Sequence, residues 1–351
     1  FCSNYGCEHY AKASPIICVL PVALKNPNFQ LQAGAHVTRV NLTADGKHAT
    51  GVTYIDVSTG EEVEQPAETV FLCSFAINNV KLLLNSKIGT PYDAQTGEGS
   101  VGRNFSYQTN STVSLFFDDK TFLNPFMGAG AVGTVIDDLN GDHFDHSSLD
   151  FVGGAFVTIN PTGAAPIKYH PTPSGTPGWG QGWKDAVRRY YNHSATIVIE
   201  GSSQPQRTTT LDLDPTYKDA YGQPLLRITF DFPDNDIRMA AHVTAKAEEI
   251  GKRMGAQIVE AAPRKRPYSA VPYQTTHLAG GAAMGGDPKT SVVNRYMQSW
   301  DVPNVFVLGS TVFPQNSSYN PTGTIGALTY WLADAIKDKY LKAVGQPMVR
   351  T

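Results

Sequence analysis

The 351-residue sequence contains only four cysteines, Cys2, Cys7, Cys18 and Cys73, and no C-x-x-C pair. Zinc-ribbon and thioredoxin-type chemistry therefore lack their ligands. Cys2, Cys7 and Cys18 are neither close-set nor followed by a Cys-Pro step, so an iron–sulfur loop is disfavoured against a Cys2–Cys7 disulfide or simple burial. No metal-ligating set emerges. A charge excess of one sign is also missing: the formal net charge is −3. Without a basic stripe the chain offers no electrostatic footprint for nucleic acid. No run approaches the ~18 apolar residues of a membrane-spanning helix. No charged-then-apolar signal peptide opens the chain, and Phe1-Cys2-Ser3, with no initiator Met, reads as mid-protein sequence.

What is present is the composition of a globular protein, 41% hydrophobic and 17% charged, long enough for about two domains. Asn-x-Ser/Thr triplets occur at Asn41, Asn104, Asn110, Asn192 and Asn316, but patterns this short do not establish secretion.

Residues 28–73 read as a β-meander. Phe29–Ala33 and His36–Leu42 alternate apolar and polar positions, Asp45-Gly46 marks a turn, and Thr50–Val57 continues the pattern. Thr69–Cys73 is a continuous apolar run, which predicts a strand covered on both faces. From Ala76 to Ser86 the spacing of Val80, Leu83 and Leu84 predicts a helix. Residues 109–270 change character, with Gly- and Pro-dense loops between strand-like runs at 111–117, 196–200, 208–213 and 225–232, and an amphipathic helix over 239–254. That mixture fits an antiparallel substrate-binding domain.

Gly128-Ala129-Gly130-Ala131-Val132-Gly133 matches G-x-G-x-x-G, the form of a dinucleotide cradle. The phosphate-binding version must follow a strand and open a helix. Here Asn124-Pro125 precedes it and Thr134-Val135-Ile136 follows, which is no helix start, so it reads as a loop. No other segment supplies the fingerprint. An NAD-dependent dehydrogenase would rest on this loop alone. Asp137, Asp138, Asp142, His143, Asp145 and His146 cluster without EF-hand spacing, and read as a solvated or substrate-contacting loop.

The last seventy-odd residues are the most informative. Thr276-His277-Leu278-Ala279-Gly280-Gly281-Ala282-Ala283-Met284-Gly285 comes first, then Asn304-Val305-Phe306-Val307-Leu308-Gly309-Ser310, then Phe313-Pro314. Asn320-Pro321-Thr322-Gly323-Thr324 leads into apolar residues at helical spacing, with Pro321 suited to the first turn. A neutral imidazole at His277 has a suitable pKa for a base. Gly280 and Gly281 allow close backbone approach to a ligand. Asn320 cannot titrate and can only orient an oxygen by hydrogen bonding.

In this order the motifs resemble the C-terminal signature of the GMC (glucose–methanol–choline) flavin oxidoreductases. The resemblance extends upstream through the strands near Val37 and Val52, the helix of Val80-Lys81-Leu82-Leu83-Leu84-Asn85, and Val101-Gly102-Arg103-Asn104-Phe105. It implies an α+β or α/β fold with a FAD-binding domain built from residues 1–108 and 271–351. That domain is expected to be partial, with its N-terminal Rossmann unit absent. The inserted segment, residues 109–270, is implied to be the antiparallel-sheet substrate-binding domain, six-stranded in the family. Val37 would lie at the adenine end of FAD and Ser74 near the cofactor. Gly309, Ser310, Pro321, Thr322 and Thr324 would seat the flavin, and His277 and Asn320 would be catalytic.

Phe1–Cys7, Ala11–Pro15 and the segment 141–155 are similar to the sugar and sugar-acid branch of that family. This implies oxidation of a C–OH group of a sugar, sugar acid or polyol, with an electron-transfer subunit or quinone-type acceptor as partner. A periplasmic or membrane-associated placement through such a partner is compatible with it. A non-catalytic fragment or carbohydrate-binding module stays open, because the pyrophosphate cradle is missing.

Overall fold

The computed structural model describes residues 13–123, 133–161, 172–271 and 277–349. Cys2, Cys7, Thr276 and most of the Gly128–Gly133 loop lie outside the described residues. In chain order the main elements are α1 (Pro15–Cys18), α2 (Leu20–Ala23), β1 (Ala35–Leu42), β2 (Ala49–Asp56), β3 (Glu62–Pro66), β4 (Val70–Leu72) and α3 (Ala76–Asn85). Then follow β5 (Ser106–Tyr107), β6 (Thr109–Phe116), β7 (Thr134–Ile136), β8 (Ala155–Pro161), α4 (Gly180–Tyr190), β9 (Ser194–Gly201), β10 (Thr210–Lys218) and β11 (Pro224–Thr229). The chain ends with α5 (Asp234–Arg253), β12 (Ile258–Ala262), β13 (Leu278–Ala279), β14 (Val305–Val307) and α6 (Thr322–Asp338).

Residues group by contact into two units. The first comprises residues 1–32, 109–201 and 234–265. It is organised by a five-stranded antiparallel sheet in the order β12-β6-β9-β8-β7. Strand side chains alternate faces, so Val113 and Leu115 of β6, Val157 of β8, and Ile197 and Ile199 of β9 share one side. That side packs against Met239, Val243 and Ala247, spaced one helical turn apart on α5. Each large apolar side chain buried this way contributes about 1.5–3 kcal/mol. Helix α5 starts with Asp234 and Asp236 and ends with Lys252 and Arg253, charges that complement its dipole.

The second unit comprises residues 33–108, 202–233 and 266–351. Its β1-β2-β3 meander is antiparallel. Thr38 and Val40 of β1, with Thr53 and Ile55 of β2, form the buried face. Helix α3 packs on β1. Ser86 joins the two: its hydroxyl accepts from the Val40 amide at 2.8 Å and donates to the Leu82 carbonyl at 2.6 Å. Strands β4 and β14 run parallel, Val70–Leu72 beside Val305–Val307. The two-residue strands β5 and β13 pair Tyr107 with Leu278 and Ser106 with Ala279. Tyr107 is buried in a ring cluster, edge-on to Tyr268 at 5.5 Å and to Phe230 at 6.3 Å.

Several expectations change. The segment 202–233, expected inside the insertion, groups with the second unit because β10 pairs back to the chain before β5. The Leu211 amide donates to the Gly102 carbonyl at 2.8 Å, and Arg103 bridges to Thr210. Residues 1–32 group with the sheet unit instead of with residues 33–108. That sheet has five strands among the described residues, not six. Phe29–Gln32 form no strand, and Phe29 and Leu31 stay exposed. Strand β4 is covered on one face only: Phe71 stacks on Phe306 at 5.1 Å yet remains 44% exposed.

Candidate active site

The site begins where β4 and β14 end. In parallel α/β sheets the carboxyl ends of the strands are where ligands bind. Just past these ends lie Ser74, before helix α3, and Gly309-Ser310. Asn79, fully buried on the first turn of α3, spans the two: its side-chain oxygen accepts from the Ser74 amide at 2.9 Å and its amide donates to the Leu308 carbonyl at 2.7 Å. A buried amide satisfied at both ends holds two chain segments at once, and removing either partner would strand the other.

Gly309 has φ +101, a conformation L side chains rarely adopt. A Cβ there would meet only the Asn79 amide nitrogen, at 4.0 Å. The space beside this backbone is open to a ligand. Ser310 is buried, and its hydroxyl donates to the Leu278 carbonyl at 2.6 Å, so its side chain serves the packing of β13 against the strand end.

The two glycines after His277 serve another purpose than the one expected. Gly280 has φ +84, and a Cβ on it would sit 2.0 Å from the Asn104 carbonyl oxygen. A Cβ on Gly281 would strike Val80 and Leu211 at 2.6 and 2.9 Å. On the side where a Cβ would stand, the close approach is to the protein's own chain. Gly280→Ala is expected to destabilise the fold by about 2–5 kcal/mol, from ~1–2 for the left-handed backbone and ~1–3 for the overlap. Urea unfolding would show this as a lowered midpoint; an unchanged midpoint would contradict the packing account.

His277 precedes β13. Its carbonyl accepts from the Asn316 side-chain amide at 2.7 Å and from the Gln108 backbone amide at 3.2 Å. Its ring nitrogen Nδ1 lies 2.5 Å from Gln108 Oε1. Burial pushes the imidazole pKa below its ordinary value, because a half-buried site disfavours the charged ring. The Gln108 side chain is fully buried, and its Nε2 donates towards the carbonyls of Ser317, Ser318 and Tyr319 at 3.2, 2.8 and 3.3 Å. Asn320, exposed, is the next residue, and Pro321 precedes the first turn of α6. The structure therefore links His277 to the segment carrying Asn320 through one side chain. Neither Gln108 nor Asn79 was marked by the sequence pattern.

Helix α6 starts at Thr322 without a capping side chain, and its first intrahelical bond runs from Ile325 to Pro321. The amides of Thr322, Gly323 and Thr324 precede that bond, so they have no intrahelical acceptor and present donors with partial positive charge.

Val37 and Ser74 come together in one cleft of about 290 Å³, lined also by Thr38, Asn78, Lys81 and Asn85. Its volume is at the lower end of ligand sites, which run about 300–1,000 Å³, so it suits one part of a large cofactor. Lys81 is engaged with Asp219 at 2.7 Å. Burial opposes ionisation of Asp219, but Lys81 and the amides of Gln223 and Tyr221 outweigh it and hold the carboxyl below the usual range.

These features fit a flavin dinucleotide. The cleft offers amide and hydroxyl donors, Gly309 leaves room for an aromatic edge, and the α6 amides suit a carbonyl-bearing ring. Another motif has a structural use. Both ring nitrogens of His146 face backbone carbonyls, Phe144 at 3.0 Å and Gly153 at 2.7 Å, so it fastens its loop. Among the described residues no cluster could hold a metal ion. Residues 134–136, after the Gly128 loop, form strand β7 and not a helix.

Comparison with known proteins bears on the family and the fold. Family models described as GMC oxidoreductase match residues 1–110, for the N-terminal part, and residues 205–329, for the C-terminal part. The first match does not support reading the N-terminal unit as absent. The gluconate 2-dehydrogenase flavoprotein of Pantoea cypripedii is 52% identical over 353 residues, covering 100% of this chain and 57% of that protein. The 2-methyl-1,2-propanediol dehydrogenase of Mycolicibacterium austroafricanum is 28% identical over 320 residues, covering 90% of this chain and 56% of that protein. The chain thus spans under two thirds of the length of either relative. A formate oxidase of Aspergillus oryzae shares the fold, with TM-score 0.59 at 16% identity over 88% of this chain and 60% of that one.

Proposed function

The chain belongs to the GMC oxidoreductases, and on that premise we propose that it is the main part of a FAD-dependent dehydrogenase oxidising a C–OH group of a sugar acid, sugar or polyol. The reading rests chiefly on the 52% identity to a gluconate 2-dehydrogenase flavoprotein along the whole of this chain. The second contact unit, with its cleft and strand ends, is the FAD-binding part. The sheet unit is the substrate-binding part.

Bound FAD would supply a two-electron acceptor for the hydride of the substrate carbon. The protein's own groups do the rest. His277, kept neutral by burial, takes the hydroxyl proton. Asn320 donates to the substrate oxygen and holds it in place. Val37 and Ser74 line the adenine end of the cofactor site. The backbone of Gly309 and Ser310, and Pro321, Thr322 and Thr324 at the start of α6, seat the ring. The α6 amides would stabilise negative charge on a ring seated there. A partner subunit or quinone-type compound would be the electron acceptor. Among the described residues no helix is long and apolar enough to cross a membrane.

Anaerobic titration of the flavin-loaded protein with gluconate, aldoses and polyols tests the proposal. Bleaching of the flavin by at least one of them, without added nicotinamide, is expected. Oxidation that proceeds only when NAD is supplied, with no flavin released on denaturation, would overturn it.

A further inference from the structure

We propose that Gln108 is the positioning residue of this site, its single side-chain amide setting the tautomer of His277 and anchoring the segment that delivers Asn320. The inference rests on His277 as the proton acceptor. Three carbonyl oxygens, those of Ser317, Ser318 and Tyr319, face one end of the amide at 3.2, 2.8 and 3.3 Å. Carbonyls only accept, so the nitrogen of the amide occupies that end. Its oxygen is thereby turned to His277 Nδ1, 2.5 Å away. An amide oxygen also only accepts, so Nδ1 carries the hydrogen. A neutral imidazole has one N–H, which leaves Nε2 with the lone pair. Only in this tautomer does Nε2 accept a proton from substrate.

The backbone strengthens the coupling. The Gln108 amide donates to the His277 carbonyl at 3.2 Å, so main chain and side chain of Gln108 grip the same residue. Tyr319, held at the other end of the amide, directly precedes Asn320. One rigid side chain, buried beside the Tyr107 ring cluster, therefore sets base and oxygen-orienting group in mutual register. An apolar residue of the same size would fill the volume and do neither.

The test uses the flavin-loaded protein labelled with [¹⁵N]histidine, with the His277 ring resonances identified by their loss in His277→Asn. Wild type is expected to show the Nδ1–H pattern. Gln108→Leu should move His277 toward Nε2–H and slow flavin reduction roughly 10–100-fold, the usual effect of losing such a partner, with KM changing less than kcat. Gln108→Glu retains an acceptor for Nδ1–H and should keep the tautomer. Protonated against the carbonyls of residues 317–319, its carboxyl also keeps a donor at that end, so the variant should reduce flavin faster than Gln108→Leu. It decides the question even if Gln108→Leu does not fold. A Gln108→Leu protein that keeps the Nδ1–H pattern or the wild-type rate overturns the proposal, as does a Gln108→Glu protein that loses the Nδ1–H pattern. If His277→Ala leaves flavin reduction intact, the reading of the site fails, while the ¹⁵N spectra still answer for Gln108.

Discussion

Replacing His277 with alanine is expected to slow reduction of the bound flavin by substrate at least ~10²-fold, the lower end of what a positioned general base contributes. Two observations set the size and the shape of this effect. The imidazole is tied at Nδ1 to a buried amide, so it is not free to leave the site. Burial also holds its pKa below the ordinary value of 6.5. The base must be neutral to work, and its neutral fraction grows as pH rises through the pKa. With that pKa lowered, wild-type flavin reduction should sit on its plateau at neutral pH and decline only on the acid side of 6.5. His277→Ala should lose both the rate and this acid limb. Stopped-flow bleaching across a pH series reads both at once. A variant that retains the limb would mean that another group is the base.

How much of this site the sequence discloses depends on whether the interaction is local. The start of α6 was legible because Pro321 and the apolar spacing beyond it are neighbours in the chain. The helices α3 and α5 and the strands β1, β2, β6 and β9 were legible for the same reason, each carrying its own period. Gln108 was not, because its partners are His277 and residues 317–319, about 170 to 210 positions away, and a buried polar residue leaves no periodic trace. Asn79 was hidden in the same way, its second bond reaching Leu308. The hairpin β10–β11 was assigned to the insertion because its pairing with Gly102 and Arg103 crosses the sequence. Gly280 and Gly281 misled differently: glycine signals that a backbone is approached closely, but not whether a ligand or the chain itself does the approaching. Helix α4 escaped notice because Gly180 and Gly182 open it after a Pro- and Gly-dense loop.

Asn320→Ala is expected to lower turnover by ~10²–10³, the cost of removing a preorganised donor at a developing oxygen charge. It should leave the pH midpoint of flavin reduction where His277 sets it. The reason is chemical: an amide has no pKa near neutrality, yet it donates to an oxygen and accepts from a hydroxyl. The position supports the role. Asn320 is exposed, follows the segment held by Gln108, and stands directly before Pro321, which biases its backbone away from the helix. Among the described residues its side chain makes no hydrogen bond like those of Asn79 or Asn316, so truncation should spare stability, and unfolding midpoints should match wild type. Asn320→His restores a donor and should retain measurable activity, since imidazole can also hold an oxygen. Steady-state and stopped-flow rates across pH separate the outcomes. If Asn320→Ala instead moves the midpoint by well over one pH unit with little loss of limiting rate, then Asn320 tunes the base instead of holding the substrate, and the division of labour between the two residues is reversed.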